Sequence, residues 1–194
     1  MAIVTDSGVG LPVLVIVGVL MLLLGGFRER AFLLALGLSI GVTDGLVTNW
    51  TKDVVQRPRP YEVVAGVRTV ELAPSSLRIM SVFAPLEVRV SPERIRPPGG
   101  RSFPSGHAAN MFAFATAIAV FYRPWGALAY LPAAAVAYSR VYVGVHWPTD
   151  VVISALQGIG FSLCVIAVCE WVWQKISHRV PGWISRGRES LLLP

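Results

Sequence analysis

A chain of 194 residues that is 54% hydrophobic and only 14% charged is too apolar for an ordinary soluble domain, whose charged share is about a quarter. Its net charge of +6 is carried by loops and the tail, so it speaks of orientation and anionic headgroups rather than of a nucleic-acid partner. Several apolar runs of roughly bilayer-spanning length set the class as an all-α, multi-pass transmembrane bundle, one membrane-embedded domain over residues 1–194.

Five spans are predicted, at about 11–26, 31–50, 105–122, 127–143 and 148–173, with a long extramembrane loop at 51–104 and a basic tail at 174–194. Before the first span there is one acid, Asp6, and no base; without a basic n-region or a small-residue cleavage site, the run reads as a retained helix. Phe27-Arg28-Glu29-Arg30 reads as a short charged turn. The second span threads Ser39, Thr43, Asp44, Thr48 and Asn49 through its second half. An acid inside a span is costly, so Asp44 is either a functional group or a bonded interhelical polar group. It lies eight residues before Lys52, close to one face of a continuing helix. Arg57-Pro58-Arg59-Pro60 ends that helix, since proline cannot continue it and biases its predecessor to extended geometry. The rest of the loop is rich in Pro, Ser and Arg, with apolar patches at Leu77–Met80 and Val82–Val90. A short helix or strand is expected there, lying against the membrane surface as a cap over the site.

Pro104 and Ser105 mark a helix start, with Ser as N-cap, Gly106 open to a ligand and His107 in the first turn. Such a terminus can seat an anion, although Ser-Gly at a helix start is more often only a cap. Arg123-Pro124-Trp125-Gly126 is a tight turn, the fourth span carries Ser139 and Arg140 near its end, and Pro148 opens the fifth after the turn at Gly144–Trp147. Spans two and four therefore end on the face where spans three and five begin. Lys52, Arg59, Ser105, Gly106, His107, Arg140, His146 and Asp150 all fall on that face. Bases in the short loops and the tail, Arg28, Arg30, Arg123, Lys175, Arg179, Arg186 and Arg188, lie opposite. The positive-inside rule then makes the tail cytoplasmic and turns the convergent residues outward.

Three cations, a helix N-terminus and two histidines at the wet end of a bundle describe a seat for a phosphate-like dianion. Arg supplies bidentate contact and Lys a point charge, while the Gly106 and His107 N–H groups can donate to charge that develops on oxygen. No Asp, Glu or His cluster there has metal-ligand spacing, so no metal and no cofactor is expected. Two histidines allow a divided task, one a nucleophile and one a general acid. His146 has Asp150 four residues on to hold its tautomer; His107 has no neighbouring carboxylate, which suits the acid.

Lys52 with Arg59-Pro60, then Pro104-Ser105-Gly106-His107, then Ser139-Arg140 with His146 and Asp150, resemble in order and spacing the three signatures of the type 2 phosphatidic acid phosphatase superfamily. The resemblance implies a helical bundle and metal-independent hydrolysis of a phosphomonoester or pyrophosphate through a phosphohistidine on His146. It also implies His107 as leaving-group acid, Asp150 as orienter, and Lys52, Arg59, Ser105, Gly106 and Arg140 as phosphate binders. One departure is that membrane members commonly have six spans, as though the usual first helix were missing here. The expected activity is therefore hydrolysis of a lipid phosphate or pyrophosphate headgroup at the outer face of a bacterial-type plasma membrane, among membrane lipids. Candidate substrates are polyprenyl pyrophosphate, phosphatidylglycerol phosphate, phosphatidate and phosphorylated lipid A. A phosphotransferase using the same intermediate, and a protein that only binds or transports a lipid phosphate, are the alternatives. The soluble haloperoxidase branch of the family does not suit so apolar a chain.

Overall fold

The computed structural model of the chain describes residues 7–72, 85–92, 100–185 and 189–192. The apolar patch expected at Leu77–Met80, the residues before Ser7, and Arg186 and Arg188 of the tail lie outside them. Helix α1 is Ser7–Leu24, and α2 is Phe27–Ile40. The α2 helix continues through a π-helical segment at Gly41–Thr48 into α3, Asn49–Val55. A short α4 (Pro60–Val63) follows, and then strands β1 (Arg68–Leu72) and β2 (Leu86–Val90). Helices α5 (Gly106–Phe121), α6 (Tyr130–Tyr142) and α7 (Pro148–Ile176) complete the bundle, ahead of a short α8 (Gly182–Ser185).

Each predicted span contains a helix, and the protein is mostly helical. Two helical stretches, Phe27–Val63 and Pro148–Arg179, are long and apolar enough to cross a membrane; Pro12–Leu24 and Gly106–Phe121 are apolar but shorter. Two expectations need correction, the charged turn and the purely helical fold. The charged Phe27–Arg30 segment is not a turn but the first turn of α2, and the chain breaks instead at Gly25-Gly26. Glu29 explains this, because its Oε2 reaches back to accept the Gly26 N–H at 2.8 Å and places an acid at the helix N-terminus. As the proline run leads one to expect, the helix that carries the second span runs to Val55 and ends at Gln56, whose φ of 47° is left-handed, just before Arg57-Pro58. The fold is not purely α: β1 and β2 pair antiparallel, from Arg68 opposite Val90 to Leu72 opposite Leu86.

The bundle is built around α5, which packs against α2, α6 and α7. Its inward face is small: Ala108, Ala109, Ala113, Ala115 and Ala117 are all fully buried. Small residues let helix backbones approach closely where lipid removes the hydrophobic drive between helices. Gly158 of α7 meets this face, and a Cβ there would run into the Ala109 carbonyl. Nearby, Ser162 Oγ lies 3.2 Å from the Ala113 carbonyl and 3.3 Å from Ser39 Oγ, tying α5, α7 and α2 together. At one end Phe32, Phe121, Ile166 and Leu191 form the largest apolar cluster. Large apolar side chains such as Leu24, Trp50, Leu131 and Leu156 point outward, the arrangement a lipid-facing surface requires. The opposite end of the bundle is polar, and the predicted site lies there.

Candidate active site

His146 sits in the turn between α6 and α7, only 6% exposed. Gly144 makes that turn possible, with a φ of +76° and no room for a Cβ beside the Arg68 carbonyl at the foot of the strand pair. The Arg140 carbonyl then accepts the N–H groups of both Val145 and His146 at 3.3 Å, fixing the ring's starting point at the end of α6. The imidazole Nδ1 is 2.7 Å from the Ser102 carbonyl. A carbonyl can only accept, so Nδ1 carries the proton and Nε2 keeps its lone pair. Asp150 Oδ2 is 3.8 Å from the same Nδ1, too far for a hydrogen bond, and acts on the ring as a charge. Burial lowers the His146 pKa below its ordinary value; the Asp150 carboxylate opposes that shift, and Arg140 adds to it.

Asp150 is fully buried in the first turn of α7. Its Oδ1 accepts from Arg57 Nη1 at 2.5 Å, and its Oδ2 accepts from Ser102 Oγ at 2.5 Å and from the Trp147 N–H at 3.1 Å. The Arg57-Pro58 segment is thereby sewn to the start of α7. Arg57 Nη1 also donates to Thr149 Oγ1 at 2.9 Å, its guanidinium lies 5.4 Å from the Trp147 ring centre, and Trp147 Nε1 donates to the Pro58 carbonyl at 2.9 Å.

Ser105 holds the N-cap position of α5, as expected, but its side chain makes no capping bond. The Ser105 N–H donates to Ser154 Oγ at 2.7 Å, while its own buried hydroxyl has no partner among the described residues. A buried hydroxyl left without a partner is costly, and a ligand oxygen at this helix end would satisfy it. A Cβ on Gly106 would lie 3.1 Å from Asp44 Oδ1 and 3.8 Å from Lys52 Nζ, so the second span delivers both groups to the start of α5. His107 is within electrostatic reach of Arg140, His146, Asp44 and Lys52, and Arg59 within reach of Lys52, Arg140 and His146. The eight residues singled out from the sequence are thus gathered at one end of the bundle. Among the described residues, no three His, Cys, Asp or Glu side chains gather into a metal-holding group.

The sequence model of the PAP2 superfamily matches residues 30–175, about three quarters of the chain. The chain belongs to the PAP2 superfamily. Among similar PAP2 proteins is phosphatidylglycerophosphatase B of Escherichia coli, 30% identical over 169 residues, which cover 76% of this chain and 63% of that one. The undecaprenyl-diphosphatase of Sulfolobus acidocaldarius is 32% identical over 108 residues, 55% of this chain and 52% of the relative. The lipid A 4'-phosphatase of Bacteroides thetaiotaomicron is 37% identical over 84 residues, 42% of this chain and 34% of the relative. The chain matches less than two thirds of the length of each of these relatives. No solved structure gives a match.

Four residues that bond to members of this candidate site were not singled out by sequence. Arg57 looked like part of a helix-ending proline run and Trp147 like the last residue of a turn. Ser102 and Ser154 carried no signal at all, because a lone serine is marked only by what it touches. Asp44, left open between a function and a packing role, reaches the site through the π-helical segment. Such segments recur where a helix must re-aim a side chain.

Proposed function

We propose that this chain is a lipid phosphatase that transfers a headgroup phosphoryl to His146 and then to water. Membership of the PAP2 superfamily supports it, as do relatives whose names specify phosphatidylglycerophosphate, undecaprenyl diphosphate and lipid A. The observation that carries the mechanism is the His146 ring: its Nδ1–H is committed to the Ser102 carbonyl, which leaves Nε2 as a free lone pair in the cationic end of the bundle.

In the first step Nε2 attacks phosphorus, the bond from phosphorus to the lipid oxygen breaks, and His107 delivers a proton to that oxygen as it leaves. Asp150 balances the positive charge that appears on the phosphorylated ring. In the second step His107 takes a proton from water, whose oxygen attacks phosphorus and releases His146 and inorganic phosphate. The sum is lipid phosphate plus water to lipid alcohol plus phosphate, or the analogous monophosphate from a diphosphate. Lys52, Arg59 and Arg140 bind the phosphoryl oxygens as cations, and Ser105 Oγ with the Gly106 N–H donates to them at the α5 terminus. We assign five spans to the bundle, with the site on the outer face and the tail in the cytoplasm.

The deciding experiment is a phosphate-release panel in detergent over polyprenyl pyrophosphate, phosphatidylglycerol phosphate, phosphatidate and phosphorylated lipid A, with His146→Ala as the blank. Release above the blank from none of them would overturn the proposal, and a phosphorylated lipid acceptor in place of free phosphate would make the chain a transferase. Because side chains supply the positive charge, chelator treatment is expected to leave the rate unchanged, and magnesium-dependent recovery after chelation would contradict that. Gly106→Ala is expected to lower kcat/KM by roughly ten- to a hundredfold, since its methyl presses on Asp44 at 3.1 Å and so disturbs the Lys52 ammonium beside it. A rate equal to the parent's would show that this contact yields freely.

A further inference from the structure

We propose that Arg57 and Ser102 are positioning residues that draw the Asp150 carboxylate away from His146 and hold the ring in its nucleophilic tautomer. The inference rests on the assignment of His146 as nucleophile. Neither is a defining residue of the three signatures, Arg57 falling in the spacer between Lys52 and Arg59, and among the described residues no hydrogen bond joins either side chain to Ser105 or Gly106.

The geometry is that of a carboxylate already spoken for. Asp150 Oδ1 is taken by Arg57 at 2.5 Å, and Oδ2 by Ser102 Oγ at 2.5 Å and the Trp147 N–H at 3.1 Å. The His146 Nδ1–H therefore goes to the other polar group of Ser102, its carbonyl, at 2.7 Å, and the carboxylate stays 3.8 Å away. Ser102 itself is fixed from behind, because its N–H donates to the Arg57 carbonyl at 2.9 Å. All three polar groups of this fully buried serine are thus used, on Arg57, Asp150 and His146.

The chemical consequence follows from the strength of the alternative. A bare carboxylate bonded directly to Nδ1–H would favour the imidazolium and occupy the ring with a proton at neutral pH. A neutral carbonyl fixes the same tautomer without that pull. The carboxylate, one step removed and balanced by Arg57, is held in reserve for the positive charge that phosphorylation places on the ring. Arg57 and Ser102 act together as the part that sets how strongly Asp150 is felt.

The test reads the ring itself, without turnover. The sequence has three histidines, His107, His146 and His178. The full chain, labelled with ¹⁵N in the imidazoles and held in detergent micelles, allows His146 to be assigned by replacing the other two in turn. In the parent, Nδ1 is expected to be protonated and Nε2 bare at neutral pH. Arg57→Gln removes the cation that offsets Asp150 and is expected to raise the His146 midpoint by roughly one pH unit. Arg57→Lys keeps the charge and is expected to restore the parental midpoint. Ser102→Ala keeps the carbonyl but frees Oδ2, and is expected to raise the midpoint in the same direction. The other charged groups facing the ring are unchanged in these variants: Arg140 from α6, His107 from α5 and Arg59 from the segment before α4. A purely structural role for Arg57 and Ser102 would leave the midpoint where it was, and an unmoved midpoint in folded Arg57→Gln and Ser102→Ala overturns the proposal. The shift together with full phosphatase activity in His146→Ala would instead remove the nucleophile while leaving the positioning intact, so the two failures are distinct.

Discussion

Replacing His146 with alanine is expected to lower phosphate release by at least about a thousandfold, because in the proposed mechanism it removes the atom to which the phosphoryl group bonds rather than a group that assists the step. Residual rate above the uncatalysed reaction would come from the cations and the α5 terminus, which remain. Substrate affinity is expected to change little, since Lys52, Arg59, Arg140 and Ser105 are untouched by the truncation. That split separates an enzyme from a protein that only holds a lipid phosphate. For binding alone, a histidine with one nitrogen tied to a backbone carbonyl and the other left bare has no purpose, and His146→Ala would change nothing that matters. The structural cost is one hydrogen bond to the Ser102 carbonyl and a small void, so a folded variant is expected, verified by its elution and thermal transition in detergent. Rapid-quench trapping of ³²P on the parent chain, absent from His146→Ala, would tie the loss to a covalent intermediate. Normal turnover in the variant would end the mechanism.

The parts of this site that were legible in the sequence are those in which chemistry and helix ends coincide. Hydropathy alone brings Lys52, His107, Arg140 and His146 to one face, because consecutive spans must alternate direction. What escaped the sequence is contact between residues far apart along the chain. Ser102 meets Asp150 across 48 positions and Arg57 meets it across 93, and no spacing rule registers such pairs. The four-residue interval led to the expectation of Asp150 as the partner of His146, yet it lies 3.8 Å off, and the nearer partner is a backbone carbonyl that every residue possesses. Local electrostatics misled once: Phe27–Arg30 is charged, which suggests a turn, but Glu29 serves the Gly26 N–H, Arg30 Nε donates to the Leu22 carbonyl at 3.2 Å, and the Arg28 guanidinium bonds the Phe121 carbonyl at the end of α5. Charges that satisfy helix termini look, in one dimension, like charges that leave the helix.

Asp150 is the position where stability and catalysis are expected to fail together, and two substitutions separate them. Asp150→Ala leaves the Arg57 guanidinium, the Ser102 hydroxyl and the Trp147 N–H without their acceptor, and of these Ser102 is fully buried while the Arg57 side chain is 36% exposed and can turn to solvent. Breaking a fully buried ion pair costs about 3–5 kcal/mol; with Arg57 partly exposed the cost here is expected to fall below that range, still enough to lower the thermal transition measurably. Asp150→Asn keeps an oxygen for one donor and the shape of the site, and should fold at a smaller cost. Its effect on the reaction is then read through His146. The carboxylate raises the pKa of the ring, while burial and Arg140 lower it to a net value below the usual 6.5. The nucleophile works as the neutral ring, so the acidic limb of kcat/KM in the parent is expected below pH 6.5. Taking the carboxylate charge away removes the charged side chain that raises the pKa, so in Asp150→Asn the limb moves to still lower pH. That variant should be slower than the parent at pH 7, having lost the charge that balances the phosphorylated ring, yet keep a larger fraction of its own maximum at pH 5. An unmoved limb would mean that the 3.8 Å separation already isolates the ring from the carboxylate, and that Asp150 serves the site only by anchoring Arg57 and Ser102.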